Sequence, residues 1–195
     1  MKEGYFVKNI KMEEQIAGQC SNTAVHNHVK EFVKSYIYIP IVAIICYILF
    51  GVVFMIAIVP SASMAPTLRV KSISIAWRLV NPEHLKRGDI VVFYDPDVYD
   101  ERMVKRIIGL PGDTIEIKEG KVFVNSEHLD ENSYLSSDIY TDTGTSDTYV
   151  VPEKCFFLMG DNRGNSYDSR YWDNPYVDFS CVEGQTIVNN IFGTK

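Results

Sequence analysis

A serine that is to act as a nucleophile needs a base, something to orient the base, and donors for an oxyanion. Ser63 stands in the segment Pro60-Ser61-Ala62-Ser63-Met64-Ala65-Pro66-Thr67-Leu68, directly after a run of 23 apolar or uncharged residues, 37–59. The usual base is histidine, and there are four. His26 and His28 precede the apolar run, so a membrane crossed by that run would separate them from Ser63. His84 and His128 fall in turn or loop sequence and read as solvated surface residues. Lysine is the other candidate. At its ordinary pKa of ~10.4 it is protonated and useless as a base, but burial disfavours the charged form and can lower that value by several units. In Met103-Val104-Lys105-Arg106-Ile107, strand alternation gives Lys105 the same face as Met103 and Ile107 and turns Arg106 the other way. That is a setting for a desolvated amine. Taken alone, a strand lysine more often reaches solvent at a sheet edge.

Other chemistries are excluded by pattern. No S-x-x-K occurs, no G-x-S-x-G, and no H-E-x-x-H; no Cys/His cluster has zinc spacing. No metal or cofactor is expected. Of the four cysteines, Cys20 and Cys46 lie in or before the apolar run. Cys155 and Cys181 could pair in an oxidising compartment or remain inert thiols.

The apolar run sets the organisation. At ~1.5 Å per residue, 23 residues make a helix of roughly 34 Å, enough for a hydrocarbon core of ~30 Å. A cleavable leader would be shorter and nearer the N-terminus. The run is therefore read as a retained transmembrane helix, 37–59, between a tail, 1–36, and a domain, 60–195. Ser63 would lie within ~14 Å of the end of the span. Lys30 and Lys34 flank one end, Arg69 and Lys71 the other, so charge does not decide the orientation. The chain carries a net charge of −6; the tail has five lysines against four glutamates, which leaves −7 beyond it. An acidic domain of ordinary size argues against nucleic acid as a partner.

Within the domain, Ile73, Ile75, Trp77 and Leu79 alternate with small or polar residues, the period of a half-buried strand. Residues 90–94 read as a strand covered on both faces, closed by Asp95-Pro96-Asp97. Residues 103–110 make another, stopped by Pro111-Gly112-Asp113. Residues 114–117 and 121–124 form a hairpin pattern, 126–148 an acidic mobile excursion, 155–159 a buried strand, and 182–192 one more strand. The expected fold is mainly β, on one N-terminal transmembrane helix.

Four blocks carry a resemblance. They are the segment 60–68 quoted above, Lys86-Arg87-Gly88-Asp89-Ile90-Val91-Val92-Phe93, Val104-Lys105-Arg106-Ile107-Ile108-Gly109-Leu110-Pro111-Gly112-Asp113, and Gly160-Asp161-Asn162-Arg163-Gly164-Asn165-Ser166-Tyr167-Asp168-Ser169-Arg170. In type and order they resemble the bacterial type I signal peptidases, membrane-anchored Ser-Lys endopeptidases that remove signal peptides from exported preproteins. The short excursion is similar to the compact single-anchor Gram-positive form. Lys71-Ser72 departs from the Gly-Asp that often follows the first block. The resemblance implies Ser63 as nucleophile and Lys105 as general base. It implies Ser61 Oγ and the Ser63 N–H as the oxyanion hole, and Ser166 as the residue that holds the Lys105 amine. Asp161 with Arg106, and Asp168 with Arg170, would be structural pairs. Substrate would lie as an added strand beside Ser61 and residues 103–105. Small P1 and P3 residues would enter pockets for which Met64, Leu68, Met103 and Val104 are candidates. The domain would be extracytoplasmic, with signal peptides and the bilayer as partners. Two other readings stay open: a dedicated processing protease for a pilin or conjugation-type substrate, and a catalytically silent membrane-anchored peptide-binding module.

Overall fold

The structure, a computed structural model, describes residues 30–31, 34–95 and 100–191. Most of the tail 1–36, with Cys20, His26 and His28, lies outside the described residues, as do Pro96, Asp97 and Phe192. The chain divides into two compact units at Ile48/Leu49. The first contains helix α1, Tyr38–Ile48, which buries none of its residues. The helical stretch Lys34–Val53, 20 residues with a mean hydropathy of 2.5, is long and apolar enough to cross a membrane.

Here the structure corrects the sequence reading. The apolar run is not one helix to Val59. It passes through a π-helical turn, Leu49–Val53, and then becomes strand β1, Phe54–Ile58. Ser63 therefore follows the helical stretch by ten residues, not four. Apolarity alone cannot separate a helix from a buried strand. What decides here is pairing: Phe54 through Ile58 register antiparallel with Trp77 through Ile73 of strand β2, Ile73–Trp77. The β domain thus begins before Pro60.

The second unit is mainly β. Strands β3 (Ile90–Tyr94), β4 (Arg102–Gly109), β9 (Cys155–Met159), β10 (Val177–Asp178) and β11 (Val182–Ile191) join β1 and β2 in a seven-stranded sheet ordered β1-β2-β11-β3-β4-β9-β10. A four-stranded sheet, β7-β6-β5-β8, is built from β5 (Thr114–Lys118), β6 (Lys121–Val124), β7 (Glu127–His128) and β8 (Thr148–Val150). The β5–β6 turn places Glu119 and Gly120 at φ of 51° and 76°, the left-handed pair that a tight hairpin needs. One apolar cluster, containing Ile108, Ile115, Val122, Tyr149, Phe157 and Met159, joins the two sheets. A second packs Val91, Phe93, Ile107, Leu158 and Trp172 on one face of β3 and β4.

Strand β2 has its faces the other way round from the pattern expectation. Ser74 and Ala76 are wholly buried, while Trp77 and Leu79 are exposed and Ile73 and Ile75 half-buried. Small side chains let β2 pack closely on the cluster of Ala57 and Val92. The apolar residues then form an outward face with their partners on β1 and β11. Phe54, Ile56 and Ile58 oppose Trp77, Ile75 and Ile73, and Val188 opposes Ile75 from the other side. Ile56, Ile58 and Val188 are all exposed.

Candidate active site

Alternation on β4 gives Lys105 and Arg106 opposite faces, and the structure gives each a different kind of partner. Lys105 is 4% exposed, opposite Val91 in the sheet. Its Nζ donates to Ser166 Oγ at 3.1 Å. Burial lowers its pKa to about 8; the Asp168 carboxylate opposes this, and the Arg170 guanidinium adds to it. Arg106 meets Asp161 through two hydrogen bonds, Nε to Oδ1 at 2.8 Å and Nη2 to Oδ2 at 2.6 Å. Its Nη1 donates to Gly88 O.

Ser63 arrives from the other direction, on the connection between β1 and β2. Met64 and Leu68 are buried with Val59 and Ile90 and fasten this loop to the domain. The loop is turned rather than extended: Ala65 N–H donates to Ala62 O and Leu68 N–H to Met64 O. Within this turned loop the Oγ atoms of Ser61 and Ser63 lie 3.2 Å apart. Ser61, Ser63, Met64, Met103, Val104 and Lys105 line one groove of about 380 Å³, with Glu101, Asn165 and Tyr167 also on its wall. Leu68, expected as a pocket residue, does not line it. It is 0% exposed, because the turn from Met64 sends its side chain into the core.

The third contributor is the segment 160–170. Asp168 accepts from Arg170 Nε at 2.8 Å and Nη2 at 2.9 Å, both residues fully buried, and from Gly160 N–H at 2.9 Å. The segment also grips the Ser63 loop. Asn162 N–H donates to Ser63 O at 3.0 Å, and its Nδ2 to Ala62 O at 3.1 Å. Gly160 has no room for a side chain: a Cβ there would lie 2.2 Å from Ser166 Oγ and 2.4 Å from Ser63 O.

The excursion 126–148 is pinned to this centre. Glu131 forms an ion pair with the buried Arg163, which also donates to Thr141 Oγ1 at 2.9 Å. Tyr134 donates to Glu131 at 2.8 Å and lies 3.9 Å from the Arg106 guanidinium. Burial, followed by the Glu131 charge, raises the Tyr134 pKa far above its ordinary value. Sequence reading missed Asn162, Glu131 and Tyr134. Asn162 lay inside a quoted block; the acidic composition around Glu131 and Tyr134 signalled only loop. Cys155 and Cys181 are free thiols, and His84 and His128 are exposed.

The sequence profile of the family described as signal peptidase, peptidase S26, matches residues 29–191. A probable signal peptidase I-2 of Synechocystis sp. is 42% identical over 123 residues, 58% of this chain and 53% of that protein. Signal peptidase I of Leptolyngbya laminosa is 37% identical over 140 residues, 67% of this chain and 65% of that one. Signal peptidase I of Bacillus licheniformis is 35% identical over 152 residues, 74% and 79%. The crystal structure of a signal peptidase I from Enterococcus faecalis covers 52% of this chain and 95% of its own, at 32% identity and a TM-score of 0.42. The matched region spans about half to two thirds of the first two relatives.

Proposed function

The chain belongs to the signal peptidase family, peptidase S26, and from that premise we propose that it is a membrane-bound serine endopeptidase that cuts signal peptides from preproteins with a Ser63–Lys105 dyad. The observation that carries this reading is the Lys105 amine. It is buried, its pKa is lowered to about 8, Ser166 holds it, and Lys105 lines the same groove as Ser63. A lysine in that state is the base a serine needs where no histidine is near.

Neutral Lys105 takes the Ser63 proton as Ser63 Oγ attacks the scissile carbonyl. Ser61 Oγ and the Ser63 N–H donate to the oxyanion. Protonated Lys105 then gives its proton to the leaving amine, and the acyl-enzyme remains. Water, deprotonated by the same lysine, hydrolyses the ester and frees Ser63. The substrate strand has a place to add. Residues 102–105 of β4 pair with β3 on one side, whereas β9 takes up pairing only from Arg106. The opposite edge of 102–105 is therefore open among the described residues. Met64, Met103 and Val104 on the groove wall suit small apolar P1 and P3 side chains. The outward face of β1, β2 and β11, together with the stretch Lys34–Val53, suits contact with lipid. The domain faces the side to which preproteins are exported, with the tail cytoplasmic. Protease added to spheroplasts should digest the domain and spare a tag at residue 1; the reverse would overturn this topology.

The test of function is incubation with a synthetic peptide containing one Ala-x-Ala site, with the cut mapped by mass spectrometry. One cut after the second alanine is expected. No cut by the folded protein would favour a silent binding module. The pH profile follows from the same amine. Below about 8 Lys105 holds its proton and cannot accept another, so kcat/KM should fall about tenfold per pH unit on the acid side. A limb near lysine's ordinary ~10.4 would mean a solvated amine and overturn the assignment.

A further inference from the structure

The Ser63 loop is closed at its base: Val59 N–H donates to Ser72 O and Lys71 N–H to Val59 O. Its near half is held by Asn162. Its far half is held by the buried Leu68, by Ser72 Oγ, which donates to Arg69 O at 2.6 Å, and by one side chain from a strand more than a hundred residues away. Asn190 Oδ1 accepts from Arg69 N–H at 2.8 Å, and Asn190 Nδ2 donates to Thr67 O at 2.7 Å.

The backbone around Asn190 is built for this contact. On β11, Val188 opposes Ile75 and Ile191 opposes Ile73, so three steps along one strand match two on its neighbour. This is a bulge, a device that re-aims a side chain. Strict alternation would send Asn190 to the outward face with Val188. Instead, Asn190 adopts φ +60°, a left-handed conformation that asparagine tolerates better than most residues. A carboxamide also carries a donor and an acceptor side by side, as Thr67 O and Arg69 N–H together require.

We propose that Asn190 is a positioning residue for the peptidase reaction, fixing the far half of the loop so that Ser63 Oγ stays aligned with the groove. The proposal rests on the Ser63 reading above. Misplacing a reacting group by about 1 Å can cost on the order of 10²-fold. Asn190 makes no recorded hydrogen bond to Lys105, Ser166 or the segment 160–170, so its loss should disturb alignment and leave the base alone.

The test uses the full-length chain in detergent and the Ala-x-Ala peptide. Asn190→Gly keeps the left-handed backbone and removes the carboxamide. Its kcat should fall roughly tenfold or more, within the scale set by misalignment, with KM within about twofold. The acid limb should not move, and hydrogen exchange should accelerate at Arg69 while the strands keep their protection. Wild-type kcat in this variant would overturn the proposal. So would a shifted limb or a general loss of protection, either of which marks an ordinary structural role. If the variant does not fold, the unaltered chain decides: an Arg69 amide that exchanges as fast as an unbonded loop amide overturns the contact. A wild-type chain that cuts no peptide would reject the functional reading, and Arg69 exchange would still decide the contact by itself.

Discussion

Lys105→Arg is expected to abolish peptide cleavage in a chain that still folds, and Ser63→Ala to do the same. The two substitutions fail for different reasons. Alanine removes the proposed attacking oxygen from a half-buried position where Ser63 Oγ is hydrogen-bonded to Ser61 Oγ, so little else should change. Arginine keeps the positive charge but cannot surrender its proton in a protein, and a base that never deprotonates accepts none. Lys105→Met should be equally inactive and should be more stable near pH 6. Below about 8 the native state carries a buried ammonium that the unfolded chain solvates freely, at a cost on the order of a few kcal/mol. That cost fades as pH rises toward the unfolded pKa, so the Met variant's advantage in Tm should fade with it. Ser61→Ala should keep weak activity, about 10²-fold down, because in the proposed mechanism the Ser63 N–H would still serve the oxyanion. Substantial turnover by folded Lys105→Arg would end the dyad mechanism; Ser61→Ala with unchanged kcat would end the oxyanion assignment.

These expectations rest on residues whose surroundings were unevenly legible in the chain. Strands β3, β4, β5, β6 and β9 could be read because alternation or a short apolar run, bounded by Gly, Pro or Asp, leaves few other solutions. The facing of Lys105 and Arg106 follows from that alternation alone. The same logic failed at β2. There the pattern was correct but the buried face was not, because tight packing on Val92 and Ala57 favours Ser74 and Ala76 over the larger residues. It failed again at β1, where apolarity pointed to helix and pairing with β2 made strand. Contacts across long sequence separation left no local trace. Glu131 with Arg163, Tyr134 over Arg106, and Asn190 with the Ser63 loop each depend on where two distant segments meet. An acidic stretch rich in Ser and Thr looks the same whether it floats or closes over a buried guanidinium.

Gly160→Ala puts this long-range assembly to the most demanding test. Residue 160 lies between two parts of the proposed dyad's support: Ser63 O on one side, Ser166 on the other. An added Cβ at 2.4 Å from a backbone oxygen and 2.2 Å from Ser166 Oγ cannot be absorbed by a flexible side chain. Either residue 160 shifts toward the Ser63 loop, which retreats and breaks the Asn162 N–H bond to Ser63 O, or it shifts toward Ser166, which swings away and releases the Lys105 amine. Both routes damage catalysis, the first through nucleophile alignment and the second through the base. A loss of more than about 10²-fold in kcat is expected, well beyond what a one-carbon change costs at an open surface site. The pH profile tells the routes apart. If the loop moves, the acid limb stays near 8 and only its height drops. If Ser166 moves, the limb shifts, because the amine has lost its partner. Full activity in Gly160→Ala would mean that neither Ser63 O nor Ser166 needs its place. The arrangement of the loop, β4 and the segment 160–170 would then have to be given up as the basis of the chemistry.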